Sequence, residues 1–115
     1  MSLKLSDKVI SELQHKYDYL INYESSDPTT PIDPLTYIDS GGDNLMHIAA
    51  QLGDLNTVKL LAEAGMNLNQ KGDMGFTALH YACDSKHLST VNFLLANGAS
   101  VDIKNEFGQL PRVLE

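Results

Sequence analysis

The sequence predicts an all-α fold, a solenoid of stacked helix-turn-helix units with a capping helix at its N-terminal end. Three observations carry this: the chain matches itself at a spacing of 33 residues, each period holds two short runs with apolar residues at helical spacing, and a glycine closes each second run. Of the 115 residues, 43% are hydrophobic and 20% are charged, the proportions of an ordinary globular domain, and one compact unit is expected at this length.

The self-match is dense. A shift of 33 places Gly42 on Gly75, His47 on His80, Ala49 on Ala82, Leu55 on Leu88, Thr57 on Thr90, Val58 on Val91, Leu61 on Leu94, Gly65 on Gly98 and Lys71 on Lys104. Conservative pairs add to it: Met46 with Leu79, Leu60 with Phe93, Leu68 with Val101 and Asn69 with Asp102. A fixed period of this size marks supersecondary units that bury their apolar faces on one another.

Taken in order, residues 1–38 are expected to form a cap and a connection. An amphipathic helix opens at Ser6 and runs over 6–23, with Val9, Ile10, Leu13, Tyr17, Leu20 and Ile21 on its apolar side. Residues 25–34 hold three prolines among Ser, Thr and Asp, an irregular connection, and 35–38 adds a short helical turn. Unit one covers 39–71 and unit two 72–104. Their first helices, 45–52 and 78–85, are capped by Asn44 and Thr77, whose side chains accept from free N–H groups. Their second helices, 55–64 and 88–96, stop before Gly65 and Gly98, which suit a left-handed C-terminal position. Short extended pieces at 67–69 and 100–103 lead into turns at 72–75 and 105–108. Residues 105–115 begin a third unit and leave it partial.

At these residues the chain resembles the ankyrin-repeat family. Gly75-Phe76-Thr77-Ala78-Leu79-His80-Tyr81-Ala82-Cys83 is similar to the family's G-x-T-P-L-H-x-A-A signature, and the run 91–102 matches its second half. The first unit departs from it, with Asn44 and Leu45 where Thr and Pro are usual, and Gly72 stands where a turn aspartate is usual. In the third unit Pro111 fills the proline slot, followed by Arg112 and Val113 in place of Leu and His. The resemblance covers residues 39–115. Because such stacks need about three units for stability, the N-terminal helix is expected to supply a cap.

Composition and motifs exclude several functions. No apolar run approaches the roughly 18 residues that cross a bilayer, and residues 1–11 lack the apolar core of a signal peptide, so a cytoplasmic protein without a membrane role is expected. Asp18, Glu24, Asp27, Asp33, Asp39, Asp43 and Asp54 lie between Lys16 and Lys59 with no Lys or Arg among them, a surface that phosphate backbones avoid, so nucleic acid is not the expected partner. That acidity reads either as steering for a basic partner or as a solubilising face. No triad, phosphate loop or zinc motif is present, and neither catalytic residues, cofactor nor metal is expected. His47 and His80 occupy equivalent slots; a two-histidine ligand pair is conceivable, but the resemblance implies hydrogen bonds to turn backbone. His15 and His87 read as exposed. Cys83 stands where the first unit has Ala50 and reads as a small buried residue.

What remains is binding. The resemblance implies a concave surface built from turn tips and the exposed side of each first helix. Here that surface comprises Ser40, Gly41 and Asp43, then Asp73, Met74 and Phe76, then Glu106, Phe107 and Gln109 on the tips, with Gln51, Leu52, Asp84 and Ser85 on the helices. Apolar Met74, Phe76 and Phe107 among acids read as interface anchors, or as side chains folded onto neighbouring tips. The expected protein is a monomeric adaptor or inhibitor that binds a partner protein, a basic toxin or enzyme, as immunity proteins do. The alternative is the N-terminal structural piece of a longer ankyrin scaffold.

Overall fold

In the computed structural model, residues 4–27 and 29–113 are described; residues 1–3, Pro28 of the connection, and residues 114–115 of the partial third unit lie outside them. Five α-helices occur among the described residues: α1 (Asp7–Lys16), α2 (Leu45–Leu52), α3 (Leu55–Glu63), α4 (Ala78–Asp84) and α5 (Leu88–Ala96). α2 packs on α3 and α4 on α5, and the two pairs stack with α2 against α4 and α3 against α5, so the expected all-α solenoid is present.

The caps explain why the repeat helices begin where they do. Asn44 accepts from the His47 N–H at 3.0 Å, while His47 Nδ1 accepts from the Asn44 N–H at 3.0 Å. Thr77 and His80 repeat the exchange on α4. These reciprocal bonds satisfy amide groups that a helix start leaves without partners. Asp54 caps α3, its carboxylate accepting from the Thr57 N–H and hydroxyl. Gly65 and Gly98 follow the second helices at φ 98° and 95°, the left-handed backbone that glycine adopts at little cost.

α1 is shorter than the helix expected over 6–23. Ser6 caps it as predicted, but it ends at Lys16, and residues 17–20 form a turn closed by Leu20 N–H on Tyr17 O. The cause is tertiary. The Tyr17 hydroxyl donates to Asp54 Oδ2 at 2.6 Å, and Lys16 Nζ lies 2.8 Å from Asp54 Oδ1. Beyond it, Asn22 holds the chain in a turn of its own, accepting from the Glu24 N–H and donating to Pro31 O, the kind of local competition that ends helices. Burial works against ionisation of Asp54, yet bonds from Lys16, Thr57 and Tyr17 outweigh it and hold the carboxyl below its ordinary range.

Two smaller expectations also give way. The helical turn expected at 35–38 is a single turn begun two residues earlier, with Thr36 and Tyr37 N–H on Asp33 O, and Ile38 is extended, bridging Asn44. Residues 67–69 turn instead of extending, because Asn67 accepts from the Asn69 N–H and its carbonyl from Gln70.

One core runs through cap and repeats. Leu13 and Tyr17 of the cap, with Ile32 and Tyr37 of the connection, join Leu45, Met46, Val58, Leu61, Leu79, Val91 and Leu94. Ala49, Ala50, Ala82 and Cys83 are buried where α2 meets α4, small enough to let the backbones approach. Among the described residues, no buried side-chain polar atom lacks a partner.

Candidate protein-binding surface

Three turn tips, one period apart, share one backbone bond. Asp39 N–H donates to Asp43 O at 2.8 Å, Gly72 N–H to Phe76 O at 2.7 Å, and Asn105 N–H to Gln109 O at 3.0 Å. The first residue of each tip decides what holds the loop inside. Asp39 Oδ1 accepts from the N–H groups of Gly41, Gly42 and Asp43, and Asn105 Oδ1 from those of Phe107 and Gln109. Gly72 has no side chain to do this. Asp43 reaches across from the first tip instead, accepting from the Asp73 N–H at 2.9 Å and from the Tyr81 hydroxyl at 2.7 Å.

Tip two is joined to tip three as well. Glu106 N–H donates to Met74 O at 2.9 Å, and the Phe76 and Phe107 rings meet edge to face at 6.4 Å. Phe76 also packs within 5.4 Å of the His80 and Tyr81 rings. The three loops are thus a connected edge, and preorganisation of this kind lowers the ordering cost of binding.

The predicted surface residues divide between those occupied inside and those that face outward. Phe76 is half-buried under its neighbours, and the Asp43 carboxylate is committed to Asp73 and Tyr81, so neither is presented freely. Met74 at 52% and Phe107 at 64% exposure project, with exposed Glu106 and half-buried Asp73 beside them. Ser40 is exposed on the first tip; Gln51 and Leu52 are exposed at the end of α2, and Asp84 and Ser85 at the same positions of the second repeat. Half-exposed Ile48 and Tyr81, one turn before Gln51 and Asp84, belong to the same helix face and were not predicted. Their signal was present: each lies three positions before a residue already placed on that face.

Several groups with possible chemistry are buried or bonded, while His15 is exposed as expected. His47 Nε2 lies 2.7 Å from Gln70 O and His80 Nε2 lies 3.0 Å from Gln109 O, with both Nδ1 atoms in the capping exchange. Both rings are therefore backbone braces, and the two-histidine ligand pair does not form. His87, expected to be exposed, is half-buried: its Nε2 lies 3.0 Å from Gln51 O, and the ring rests against Gly53. Burial, with Asp84 adding to it, pushes the Cys83 thiol up and away from the reactive thiolate. Burial and then Asp43 push the Tyr81 hydroxyl up as well, keeping it a donor. Among the described residues no cluster of His, Cys, Asp and Glu could hold a metal ion, and no helix is long and apolar enough to cross a membrane.

Several known proteins are similar to this chain. The chain is 40% identical over 77 residues to the "Probable 26S proteasome regulatory subunit p28" of Saccharomyces cerevisiae, covering 65% of this chain and 34% of that protein. It is 35% identical over 77 residues to the human "Protein phosphatase 1 regulatory subunit 27", covering 67% of this chain and 50% of that one. The human "Ankyrin repeat domain-containing protein 40" is 39% identical over 64 residues, 55% of this chain and 17% of the relative. The chain thus spans half or less of the length of these relatives. Regulatory-subunit relatives and a stacked-repeat surface together support a protein-interaction module. A family model described as "Ankyrin repeats (3 copies)" matches residues 13–105, beginning inside α1 and well before residue 39, and the chain belongs to the ankyrin-repeat family.

Proposed function

We propose that the chain is a non-catalytic binding module that holds a basic partner protein, a toxin or an enzyme, against the outward residues of its tips and first helices. The observation that carries this reading is the Met74 and Phe107 pair: two exposed apolar side chains on tips tied together by the Glu106 to Met74 bond. Met74 adopts φ 54°, a left-handed conformation that costs a non-glycine residue energy. Strain kept at an exposed apolar position fits a binding role. Asp73 and Glu106, next to Met74 and Phe107 in the chain, favour a cationic partner, whereas Asp84 shares a concavity with Lys104 and Arg112. Occlusion is the mode of action that suits a site without chemistry, and two relatives are named as regulatory subunits. The lone buried Cys83 suits a monomer working in the reducing cytoplasm.

The test is capture from native lysate at two salt concentrations, followed by the affinity of the purified partner for wild type and for Met74→Ala/Phe107→Ala. The expected partner is basic, binds more weakly at higher salt, and loses about tenfold or more in affinity to the variant, as for a central anchor. A partner bound equally by both proteins would sink this reading of the surface.

A further inference from the structure

The N-terminal segment leaves aromatic and aliphatic side chains uncovered, the last of them, Ile38, at the base of the first tip. Tyr19, Ile21, Tyr23 and Ile38 are 63%, 47%, 56% and 52% exposed. Tyr19 is not a loose side chain, since its ring lies 6.1 Å from that of buried Tyr17, which Asp54 anchors. Tyr37, next to Ile38 in the chain, is buried; burial first, then Asp39, Tyr23 and Tyr19, push its hydroxyl up. Exposed tyrosines grouped on a surface resemble the rigid anchors of binding sites, large in contact area and poor in rotamers to lose.

The rim decides the occupant. Asp18 and Glu24 are exposed, and neither pairs with a cation among the described residues. Lys16, the nearest cation in sequence, is held by Asp54, and the chain has no other Lys or Arg until Lys59. Beside Tyr17 and Asp18 opens a concavity of about 90 Å³, walled by Leu20, Thr30 and Ile32. It is too small for a drug-sized ligand but has room for the end of one long side chain. Arginine and lysine combine what the patch asks for: an apolar stem for Tyr and Ile, a cation for an aromatic face, and a charge for the carboxylates. A second copy of this chain would bring the same acidic rim against this one, and like charges facing each other oppose docking.

We propose that this patch is a second docking surface that takes an arginine- or lysine-rich segment of a partner protein, with the stems across Tyr19 and Tyr23 and the charges on Asp18 and Glu24. It stands apart from the reading of the tips, and its test separates the two. Fluorescein-labelled octa-arginine is the probe, titrated by anisotropy and by amide shifts in NMR spectra. The proteins compared are wild type, Tyr19→Ala/Tyr23→Ala, and Met74→Ala/Phe107→Ala, each checked for an unchanged melting curve. Shifts are expected at residues 18–24 and 37–39, with affinity about tenfold lower in the tyrosine variant and unchanged in the tip variant. Equal binding by the tyrosine variant, or shifts spread over all acidic residues, would reduce the patch to diffuse charge and overturn the proposal. Concentration-dependent self-association of wild type that the tyrosine variant abolishes would assign the patch to a second copy and overturn it as well.

Discussion

Asp43 performs at the second tip the task that Asp39 and Asn105 perform at their own. It can do so only because residue 72 lacks a side chain: a Cβ there would run into Asp43 Oδ1 and lie 2.8 Å from His47 Nδ1. Gly72 at the usual aspartate position is therefore one half of an exchange, whose other half is a carboxylate borrowed from the preceding unit. Gly72→Ala is expected to destabilise the fold by about 1–3 kcal/mol, the range for forcing a contact and losing a charged hydrogen bond. Asp43→Ala should cost a similar amount by leaving the Tyr81 hydroxyl and Asp73 N–H without their acceptor. Combined, the two should cost less than their sum, because the first partner of the clash is gone. Urea denaturation of the four proteins checks this; strict additivity would mean that the two residues are not coupled. The departure at Gly72 was legible in the sequence, but its reason was not, since the compensating carboxylate lies 29 positions earlier and meets it only after the tips stack.

At the scale of elements, what could be read from the chain was whatever local chemistry terminates. Asn44, Thr77, Gly65 and Gly98 act within a few residues of themselves, and the helices they bound begin and end within a residue of the expectation. The expectation for α1 ran too long because the apolar spacing through Leu20 and Ile21 continues past Lys16, whereas the stop comes from Asp54, far along the chain. The connection was read as merely irregular, yet buried Ile32 and Pro34 make it part of the core. A turn can hide its cost in the same way. Gly53 and Lys86 occupy the same slot after α2 and α4, both left-handed at φ 73° and 58°, but only one of them is glycine. An L-residue there costs about 1–2 kcal/mol, partly offset by the greater freedom glycine brings to the unfolded chain. Lys86→Gly should therefore stabilise the protein by about 0.5–1 kcal/mol, measured as a higher urea midpoint with unchanged slope. A lower midpoint would show that the exposed lysine makes a contribution its backbone conformation does not reveal.

For the whole molecule, the question is whether the cap is an attachment or part of the folding unit. Stacked repeats gain stability from intrinsic and neighbour terms, and a weakly coupled end unit melts first. Here the couplings are numerous: Lys16 and Tyr17 on Asp54, Gln14 on Ile32 O, Lys4 N–H on Ala64 O, and Leu13 in the same core as Leu61. Between repeats, Asp43 to Tyr81, His87 to Gln51 O, and Asn69 on the Ser100 N–H add links at tips, helix ends and loops. A stack tied at this many levels should unfold in one step. The chain carries its own reporter for that claim. It has no tryptophan, and four of its five tyrosines, Tyr17, Tyr19, Tyr23 and Tyr37, lie in the N-terminal segment, while four of the five helices lie in the repeats. Tyrosine fluorescence therefore follows chiefly the cap, and circular dichroism at helical wavelengths follows chiefly the repeats. Coincident urea transitions by the two signals are expected for wild type, and Tyr17→Phe, which removes the hydroxyl held by Asp54, should lower both midpoints together. If fluorescence moved first and left the helical signal in place, the cap would be a separable unit and the stack would be stable without it.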